Sequence, residues 1–548
     1  MGLIKSFQYK KDKLDKIGRY KYGQNWPVVY ILEGKKEAYV GETINAYNRS
    51  KQHLKNKERK KLDTVHIIGD KVFNKSATLD IESLLIQYIA ADGKYKLQNG
   101  NAGLTEHDYY NKERYQIIFE EIWEELREKD IVNKSIMELR NSDIFKYSPY
   151  KALNQQQHEI VMSIKDSIIN DQSSTHLVNG EPGTGKTIVA IYLMKFLKEL
   201  PKTKDLKIGF VVPMTSLRST IKKVFKTVKG LRSGMVLSPF DVVKGHYDIL
   251  IVDEAHRLTR RVNISNMGAF DNVNRKLGLD IHKGDQLDWI EMSADHIILC
   301  YDKNQSVRPS DILPHKIERL RAKNHRITSQ MRVLGGEDYI EYIQSILHMG
   351  QKEVKHFGNY DVCLFDDVDQ MVNQIKEKDD EYGLCRVVAG YAWEWQSKSD
   401  KSAYDIKIQD YFYKWNSTQK DWVNSQKALE EVGCIHTIQG YDLNYVGVII
   451  GDEIRLNNGV VEIKEDKYHD KYGKQTIKDP NVLKNFIMNI YKTLLTRGIR
   501  GTYVYVCDPE LREYFKQYMP TYKNEDSYMY KNMDPIAKVS EDPIEYGE

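Results

Sequence analysis

Apolar runs in the first hundred residues predict a small α+β unit. Residues 27–32 and 38–41 are mostly apolar and flank a Gly-Lys-Lys turn, a pattern typical of a β-hairpin. The pattern then predicts a basic helix over 45–61, a third strand over 64–72 and a helix over 77–90. A hairpin, a third strand and two helices are enough to bury one apolar sheet face.

Residues 106–145 are rich in charge but carry apolar residues at helical spacing, including Ile118, Ile122, Trp123 and Leu126. This segment is predicted to be a helical connector. The sequence leaves open whether it fixes the distance between the units on either side or only tethers them.

Short, continuously apolar runs follow the connector and predict strands of a parallel sheet that is buried on both faces. Two polar, turn-rich stretches at 259–290 and 454–480 interrupt this pattern and are predicted as nucleic-acid-facing or lid loops, with an ordinary surface loop favoured for the second. The predicted strands cover 176–179, 208–212, 247–252 and 297–300.

Composition narrows the class of protein without identifying a ligand. The 548 residues predict three or four domains, at about 150 residues each. A formal net charge of +4 does not by itself indicate a nucleic-acid partner. Five scattered cysteines without C-x-x-C spacing argue against disulfides and zinc, which favours the reducing cytoplasm. No apolar run is long enough to span a membrane.

Residues 180–187 read G-E-P-G-T-G-K-T and match the phosphate-binding loop pattern G-x-x-x-x-G-K-[ST]. An apolar strand precedes the loop and an apolar helix follows it, so the helix N-terminus would face the phosphates. Lys186 is expected to reach the β- and γ-phosphates of ATP, and Thr187 to bind Mg²⁺. The expected nucleotide-binding residues of the loop are Gly180, Gly183, Gly185, Lys186 and Thr187.

The strand predicted over 247–252 delivers a D-E-A-H sequence about 65 residues after the loop. Asp253 is expected to hold Mg²⁺ through water, and Glu254 to orient and deprotonate the attacking water. The strand and its position after the loop make this short motif specific.

Further segments follow in the order found in superfamily 1 helicases, which the chain resembles from residue 149 onward. They include L-N-Q-Q-Q at 153–157, S-Q-M-R at 329–332 and L-L-T-R-G at 494–498. The run R-V-V-A-G-Y-A-W-E-W at 386–395 and D-E-A-H-R most resemble the motor of Schlafen-type proteins. The resemblance implies two RecA-like lobes with ATP between them. It assigns adenine recognition to Gln157, γ-phosphate sensing to Gln305, triphosphate contact to Arg332, an arginine finger to Arg497, and coupling to nucleic acid to Thr215 and Gln439.

The N-terminal unit resembles the GIY-YIG nuclease superfamily. V-V-Y at 28–30 and Y-V-G at 39–41 stand where that family has its two triplets, with Val28 and Val29 replacing Gly and Ile. The resemblance implies phosphodiester hydrolysis at one divalent ion, Mg²⁺ or Mn²⁺, held by Glu82. The family's functional positions fall on Tyr30, Tyr39, Arg49, His53, Glu82 and Asn99.

The expected roles at this second site differ in how well they fit ordinary acid–base chemistry. Arg49 is expected to stabilise charge on the phosphate. The resemblance makes Tyr30 the general base, but a phenol with a pKa near 10 is a poor base at pH 7. His53 therefore stays open as a rival for that role, with Tyr39 positioning water or the leaving group.

The combined expectation is an α/β multidomain enzyme: an ATP-driven helicase or translocase fused to an endonuclease. The partner is nucleic acid, with DNA favoured over RNA, and bacterial anti-phage defence or restriction is the context that the resemblance implies. The alternatives are a structure-specific DNA-repair nuclease-helicase and an ATP-switched sensor that never unwinds. A homo-oligomer or a partner protein stays open. The expected domains are 1–105 (nuclease), 106–148 (connector), 149–315 (lobe 1) and 316–548 (lobe 2 with the C-terminal tail).

Overall fold

The computed structural model describes residues 2–100, 109–262, 264, 266–302, 305–306, 308–351, 353–418, 421–438, 440–470, 474, 477 and 479–523. Within these ranges, no helix is both long enough and apolar enough to cross a membrane.

The N-terminal unit is a five-stranded sheet in the order β1-β4-β2-β3-β5, with helices α1 to α3. The predicted hairpin is confirmed, and Tyr30 pairs with Gly41 across it. The predicted basic helix ends early, because the Asn56 side chain accepts hydrogen bonds from the backbone of Glu58 and Arg59 and starts a new turn. The elements are β1 (Ile4–Gln8), α1 (Asp15–Gly18), β2 (Val28–Glu33), β3 (Glu37–Thr43), α2 (Ala46–His53), β4 (Thr64–Ile68), α3 (Lys75–Asp92) and β5 (Lys96–Leu97).

The connector packs firmly on helix α3 of the N-terminal unit. The ring of Tyr88 on α3 lies 4.9 Å from Phe119, 5.5 Å from Trp123 and 4.6 Å from Phe145, measured between ring centroids. One apolar core runs from the N-terminal sheet through these residues into the next domain. The connector is therefore more than a tether. Its helices are α4 (Lys112–Glu128), α5 (Ile136–Arg140) and α6 (Asp143–Lys146).

Lobe 1 contains a six-stranded parallel sheet in the order β11-β6-β10-β9-β7-β8. The last strand of the lobe pairs with the strand before the phosphate loop, so the lobe continues past the expected boundary at residue 315. The strands are β6 (Ser174–Gly180), β7 (Ile208–Val211), β8 (Val236–Leu237), β9 (Tyr247–Val252), β10 (Ala294–Tyr301) and β11 (Lys323–Ile327). The helices are α7 (Gln155–Asn170), α8 (Lys186–Glu199), α9 (Thr215–Thr227), α10 (Pro239–Val242), α11 (Met267–Lys276), α12 (Gln286–Glu291) and α13 (Pro314–Glu318).

The stretch 259–290, predicted as a loop, contains two helices that pack on lobe 1. Phe270 on α11 and Trp289 on α12 are buried, with their ring centroids 4.5 Å apart. The indole of Trp289 donates a 2.7 Å hydrogen bond to Asn274. A few widely spaced aromatic residues pack this segment onto lobe 1. The loop prediction was wrong because most of the other residues in the segment are polar.

Lobe 2 contains a four-stranded parallel sheet in the order β12-β20-β17-β13, with small sheets β14-β15-β16 and β18-β19 beside it. The strands are β12 (Asp361–Phe365), β13 (Arg386–Ala389), β14 (Ile406–Ile408), β15 (Tyr411–Trp415), β16 (Glu431–Val432), β17 (Leu443–Ile450), β18 (Ile454–Asn457), β19 (Val460–Ile463) and β20 (Gly498–Val506). The helices are α14 (Gly336–Leu347), α15 (Val368–Tyr382), α16 (Ile435–Ile438), α17 (Pro480–Leu495) and α18 (Pro509–Lys516). The two parallel sheets give the chain an α/β multidomain architecture, as the sequence predicts.

Candidate functional sites

The phosphate loop joins the end of β6 to the start of α8, as its sequence predicts. Gly183 and Gly185 have φ values of +85° and +86°, a conformation that favours glycine. The Lys186 ammonium donates to the carbonyl oxygens of Gly180 at 2.6 Å and Glu181 at 2.9 Å. The Lys186 side chain therefore lies across the loop, and its ammonium is where a phosphate would bind.

Asp253 and Glu254 follow β9 and lie beside the loop. Burial, and then the charge of Glu254, raises the pKa of Asp253, while a hydrogen bond from Thr187 works in the opposite direction. Oδ2 of Asp253 is buried and has no hydrogen-bond partner among the described residues. A hydroxyl and an unsatisfied carboxylate oxygen at one point suit Mg²⁺, which prefers hard oxygen ligands. These residues therefore fit the metal that an ATP site requires.

Glu254 has a distinct environment although it is the next residue. It adopts a φ of +52°, and its Oε2 lies 2.9 Å from Nε2 of His256. Burial favours the neutral acid, but the charges of His256 and Lys186 outweigh burial and hold the pKa of Glu254 below its usual value. The carboxylate is thus ionised at neutral pH, as a group that accepts a proton from water must be.

One cavity of about 120 Å³ lies between the lobes and brings these groups together with two arginines from beyond the loop. Lys186, Thr187 and Glu254 line it together with Arg332 and Arg497. The volume is below the roughly 300 Å³ of an ordinary small-molecule site. This cavity by itself is therefore smaller than a whole nucleoside triphosphate requires.

Asp442 was not predicted from the sequence and lies in this cavity. Its carboxylate accepts a hydrogen bond from Nε of Arg332. Burial alone would raise the pKa of Asp442, but Arg332, Lys146 and Arg497 leave it below its usual value. Burial and the nearby Arg332 lower the pKa of Arg497 to about 10. Asp442 therefore already pairs with Arg332, one of the two arginines that are expected to meet a triphosphate.

Gln157 is fully buried and contacts the phosphate loop rather than open space. Its Oε1 accepts from the backbone N–H of Asn154 at 3.2 Å, and its Nε2 donates to the Thr184 carbonyl at 3.0 Å. Adenine recognition by Gln157 would require these bonds to open. Gln305 lines the cavity and donates to Asp302 at 2.7 Å. Thr215 is at the start of α9, and Gln439 lies outside the described residues.

A second cluster surrounds Tyr30 in the N-terminal sheet. The Tyr30 hydroxyl lies 2.6 Å from Nε2 of His53 and 3.4 Å from Nε of Arg49. The Tyr39 ring packs edge-on against His53, with ring centroids 5.1 Å apart. Arg49 and His53 share one face of α2, as their spacing predicted.

Arg59, which the sequence did not single out, fixes the protonation of His53. Its Nη1 lies 2.9 Å from Nδ1 of His53, and its guanidinium lies 3.8 Å from the centroid of the Tyr39 ring. A guanidinium only donates, so Nδ1 must accept, and the proton of the neutral ring is on Nε2, facing Tyr30. Burial, together with Arg59 and Arg49, lowers the pKa of His53 to about 3. Both ring nitrogens are therefore occupied, which argues against His53 as the general base.

Glu82 projects from α3 beside Glu42 of β3. Burial, and then the charge of Glu42, raises the pKa of Glu82 to about 7. Lys75 forms an ion pair with Glu42, whose Oε2 is buried without a hydrogen-bond partner in the described ranges. No group of three or more His, Cys, Asp or Glu side chains converges as a metal site in the part of the chain that the structure describes. The carboxylate oxygens of Glu82 and of the adjacent Glu42 are hard ligands of the kind that Mg²⁺ prefers.

Asn99 has a structural position in this site. Its Oδ1 accepts from the N–H of Val40 at 3.0 Å, and its Nδ2 donates to the Val40 carbonyl at 2.8 Å. Asn99 thus satisfies both backbone groups of the residue between Tyr39 and Gly41. It holds the strand that carries Tyr39.

Comparison with known proteins gives a family match and several distant structural likenesses. A family model described as Schlafen group 3, DNA/RNA helicase domain, matches residues 173–508. An uncharacterized protein of Saccharomyces cerevisiae, YPL245W, is 28% identical, and the alignment covers 62% of this chain and 82% of that protein.

The similar solved structures include an arterivirus helicase, nonstructural protein 10, with 13% identity, a TM-score of 0.29 and 64% of each chain covered. The chain thus spans less than two thirds of that protein. A Pif1 helicase structure is 11% identical with a TM-score of 0.29, covering 69% of this chain and 98% of that one. Mss116p bound to single-stranded RNA is 11% identical with a TM-score of 0.30, covering 74% and 81%.

Proposed function

The chain belongs to the Schlafen group 3 DNA/RNA helicase-domain family, and we propose that it is an ATP-driven nucleic-acid helicase or translocase with a metal-dependent endonuclease at its N-terminal end. The observation that carries the motor is the shared cavity in which Lys186, Glu254 and Arg497 meet across the lobes. Residues from both sides of a cleft can act together on one triphosphate.

In the motor, the chain's own residues would bind ATP, orient water and sense closure. Lys186 would exchange its carbonyl partners for the β- and γ-phosphates, and Glu254 would take the proton of the attacking water. Mg²⁺, held by Thr187 and Asp253, would neutralise the charge that develops on the phosphates. Arg332 and Arg497 would reach the γ-phosphate once the lobes close, which requires Arg332 to leave Asp442.

In the nuclease, the cluster around Tyr30 supports binding and polarisation of a phosphodiester. His53 donates to the Tyr30 oxygen, so the phenolic proton is free to point toward a substrate oxygen. Burial raises the pKa of Tyr30 well above its usual value despite Arg49. This favours Tyr30 as a hydrogen-bond donor, and its expected role as general base would require strong help from the metal held by Glu82. Arg49 would stabilise the phosphate charge.

The same proposal covers the domains and the biological setting. We place the nuclease at 1–105, the connector at 106–148 and lobe 1 from 149 to Ile327, with lobe 2 after it. DNA is favoured over RNA as the substrate. Fusion of a nuclease to a motor supports restriction or anti-phage defence, and a repair nuclease-helicase uses the same chemistry.

ATP hydrolysis with and without single-stranded DNA or RNA tests the motor. The wild-type chain should hydrolyse ATP faster with nucleic acid present, and Lys186→Ala and Glu254→Gln should lose that activity. Lys202→Ala, an exposed lysine on the same lobe, should behave as wild type. ATP binding without stimulated hydrolysis or strand separation would instead indicate a nucleotide-switched sensor.

Cleavage of supercoiled plasmid in Mg²⁺ and in Mn²⁺, with and without ATP, tests the nuclease. Glu82→Ala should abolish cutting while leaving the ATPase intact, and Lys186→Ala shows whether the motor drives or gates cutting. Cleavage confined to branched DNA would favour the repair alternative. If neither plasmid, branched DNA nor RNA is cut, the nuclease proposal is wrong.

A further inference from the structure

The end of the connector lines the nucleotide cavity. Lys146, Tyr147 and Lys151 lie on its wall together with residues of both lobes. None of these three belongs to a motif that the helicase resemblance supplied. They precede α7 and come from the segment that packs on the N-terminal unit.

The two lysines bring positive charge to this cavity. Lys146 donates a 2.8 Å hydrogen bond to the backbone carbonyl of Asp442. The Lys151 ammonium lies 5.5 Å from the centroid of the Phe145 ring. No hydrogen bond or ion pair to that ammonium is found among the residues that the structure describes.

The charges that line the cavity are unequal. Two carboxylates, those of Glu254 and Asp442, line the cavity with five cations, of which Lys186 also lies 3.7 Å from the Asp302 carboxylate. Asp442 already pairs with Arg332, so it does not also neutralise both lysines. Charged groups that are taken out of water need a counter-charge. The cationic lining is Lys146, Lys151, Lys186, Arg332 and Arg497.

We propose that Lys146 and Lys151 bind the terminal phosphates of ATP, so that the end of the connector and its junction with lobe 1 form part of the nucleotide site. Lys146 bonds to the backbone of Asp442, whose carboxylate holds Arg332, the arginine expected to contact the triphosphate, and Lys151 lines the same cavity; this points to the γ-phosphate end for both lysines. They therefore favour ATP over ADP. The inference rests on the proposed motor function, which predicts that a triphosphate binds here.

The supporting electrostatics agree with this geometry. Burial, opposed by the charge of Asp442 and aided by that of Lys146, lowers the pKa of Lys151 to about 8. Burial also lowers the pKa of Lys146. A bound triphosphate would relieve this desolvation, because it places negative charge beside both ammonium groups.

Equilibrium binding of ATPγS and of ADP to the full chain tests the proposal. Lys151→Met should weaken ATPγS binding at least tenfold and ADP binding less than threefold, and Lys146→Met should act in the same direction. Lys151→Arg, which keeps the charge, should bind ATPγS within threefold of wild type. Lys202→Met removes an exposed lysine from the same lobe and should change neither affinity.

Thermal unfolding separates binding from packing. Without nucleotide, Lys151→Met should melt at or above the wild-type temperature, because an ammonium without a counter-charge is removed; with ATPγS, its stabilisation should be smaller. If Lys151→Met binds ATPγS as tightly as wild type does, the inference about the lysines is wrong, but the motor function is not affected. Equal losses for ATPγS and ADP with a lower melting temperature would also overturn that inference, in favour of a packing role. A wild-type chain that binds no nucleotide would overturn the motor function itself.

Discussion

Gly41→Ala tests whether the glycine of the second triplet exists to make room for Tyr30. A Cβ at position 41 would lie 2.3 Å from the Tyr30 hydroxyl oxygen and 2.5 Å from Cζ, whereas ordinary contact begins at 3.4 Å. The buried Tyr30 ring would have to move by about 1 Å to relieve the close contact with the added methyl group. That movement would break the 2.6 Å contact with His53.

The expected cost in unfolding free energy is about 1–3 kcal/mol for overpacking. Position 41 does not have a positive φ, so the added methyl meets the ring and not backbone strain. Chemical denaturation of the full chain, followed by a probe in the N-terminal unit, measures the cost. In buffer without denaturant, plasmid cleavage by Gly41→Ala should be slower than by wild type, because Tyr30 is displaced.

A double-mutant cycle identifies the cause. In a Tyr30→Val background the ring is gone, so adding Gly41→Ala should cost at least about 1 kcal/mol less than in the wild type. Ser50→Ala, a small change at a buried position nearby, serves as a control that should not couple to Gly41. Additive costs for Gly41→Ala and Tyr30→Val would refute the steric explanation.

Three further predictions concern single charged groups. Asp442→Asn should raise ATPγS affinity severalfold by releasing Arg332, as calorimetry can measure, and unchanged affinity would show that the ion pair does not compete with nucleotide. Glu453 is fully buried, accepts a 2.6 Å hydrogen bond from Tyr491, and has its pKa raised to about 7 by burial. Because the pKa is raised, protonated Glu453 stabilises the fold below pH 4.5, and this contribution is lost as the pH rises through 7. The free energy of unfolding of Glu453→Gln should therefore exceed that of wild type by up to about 3 kcal/mol at pH 8 and by little at pH 4.5. Equal differences at both pH values would contradict this. Arg59→Gln should raise the pKa of His53 above its value of about 3, as NMR titration can show, and should slow plasmid cleavage. An unchanged pKa of His53 would exclude Arg59 as the group that fixes its proton.

The sequence predicted those parts of the sites that are local in the chain. The phosphate loop and Asp253-Glu254 each follow a strand directly, so spacing alone placed them at one edge of a parallel sheet. Arg59 was missed because the turn at Asn56 brings it back onto His53, and a continuous helix over 45–61 would not. Asp442 and Lys151 were missed for a different reason. They meet only where the lobes and the connector close around one cavity, and no periodicity in the chain encodes that closure.

The packing of the connector gives the two sites a common mechanical path. Tyr88 is six residues beyond Glu82 on α3, and its ring rests on Phe145. The next residue, Lys146, donates to Asp442, and the Tyr147 hydroxyl donates to the Gly440 carbonyl, both in lobe 2. Packed interiors transmit small displacements because they contain few voids. A segment that packs on α3 at Phe145 and bonds to lobe 2 at Gly440 and Asp442 therefore joins the helix that carries Glu82 to the wall of the nucleotide cavity. A shift of lobe 2 that kept these contacts would reach α3 through them.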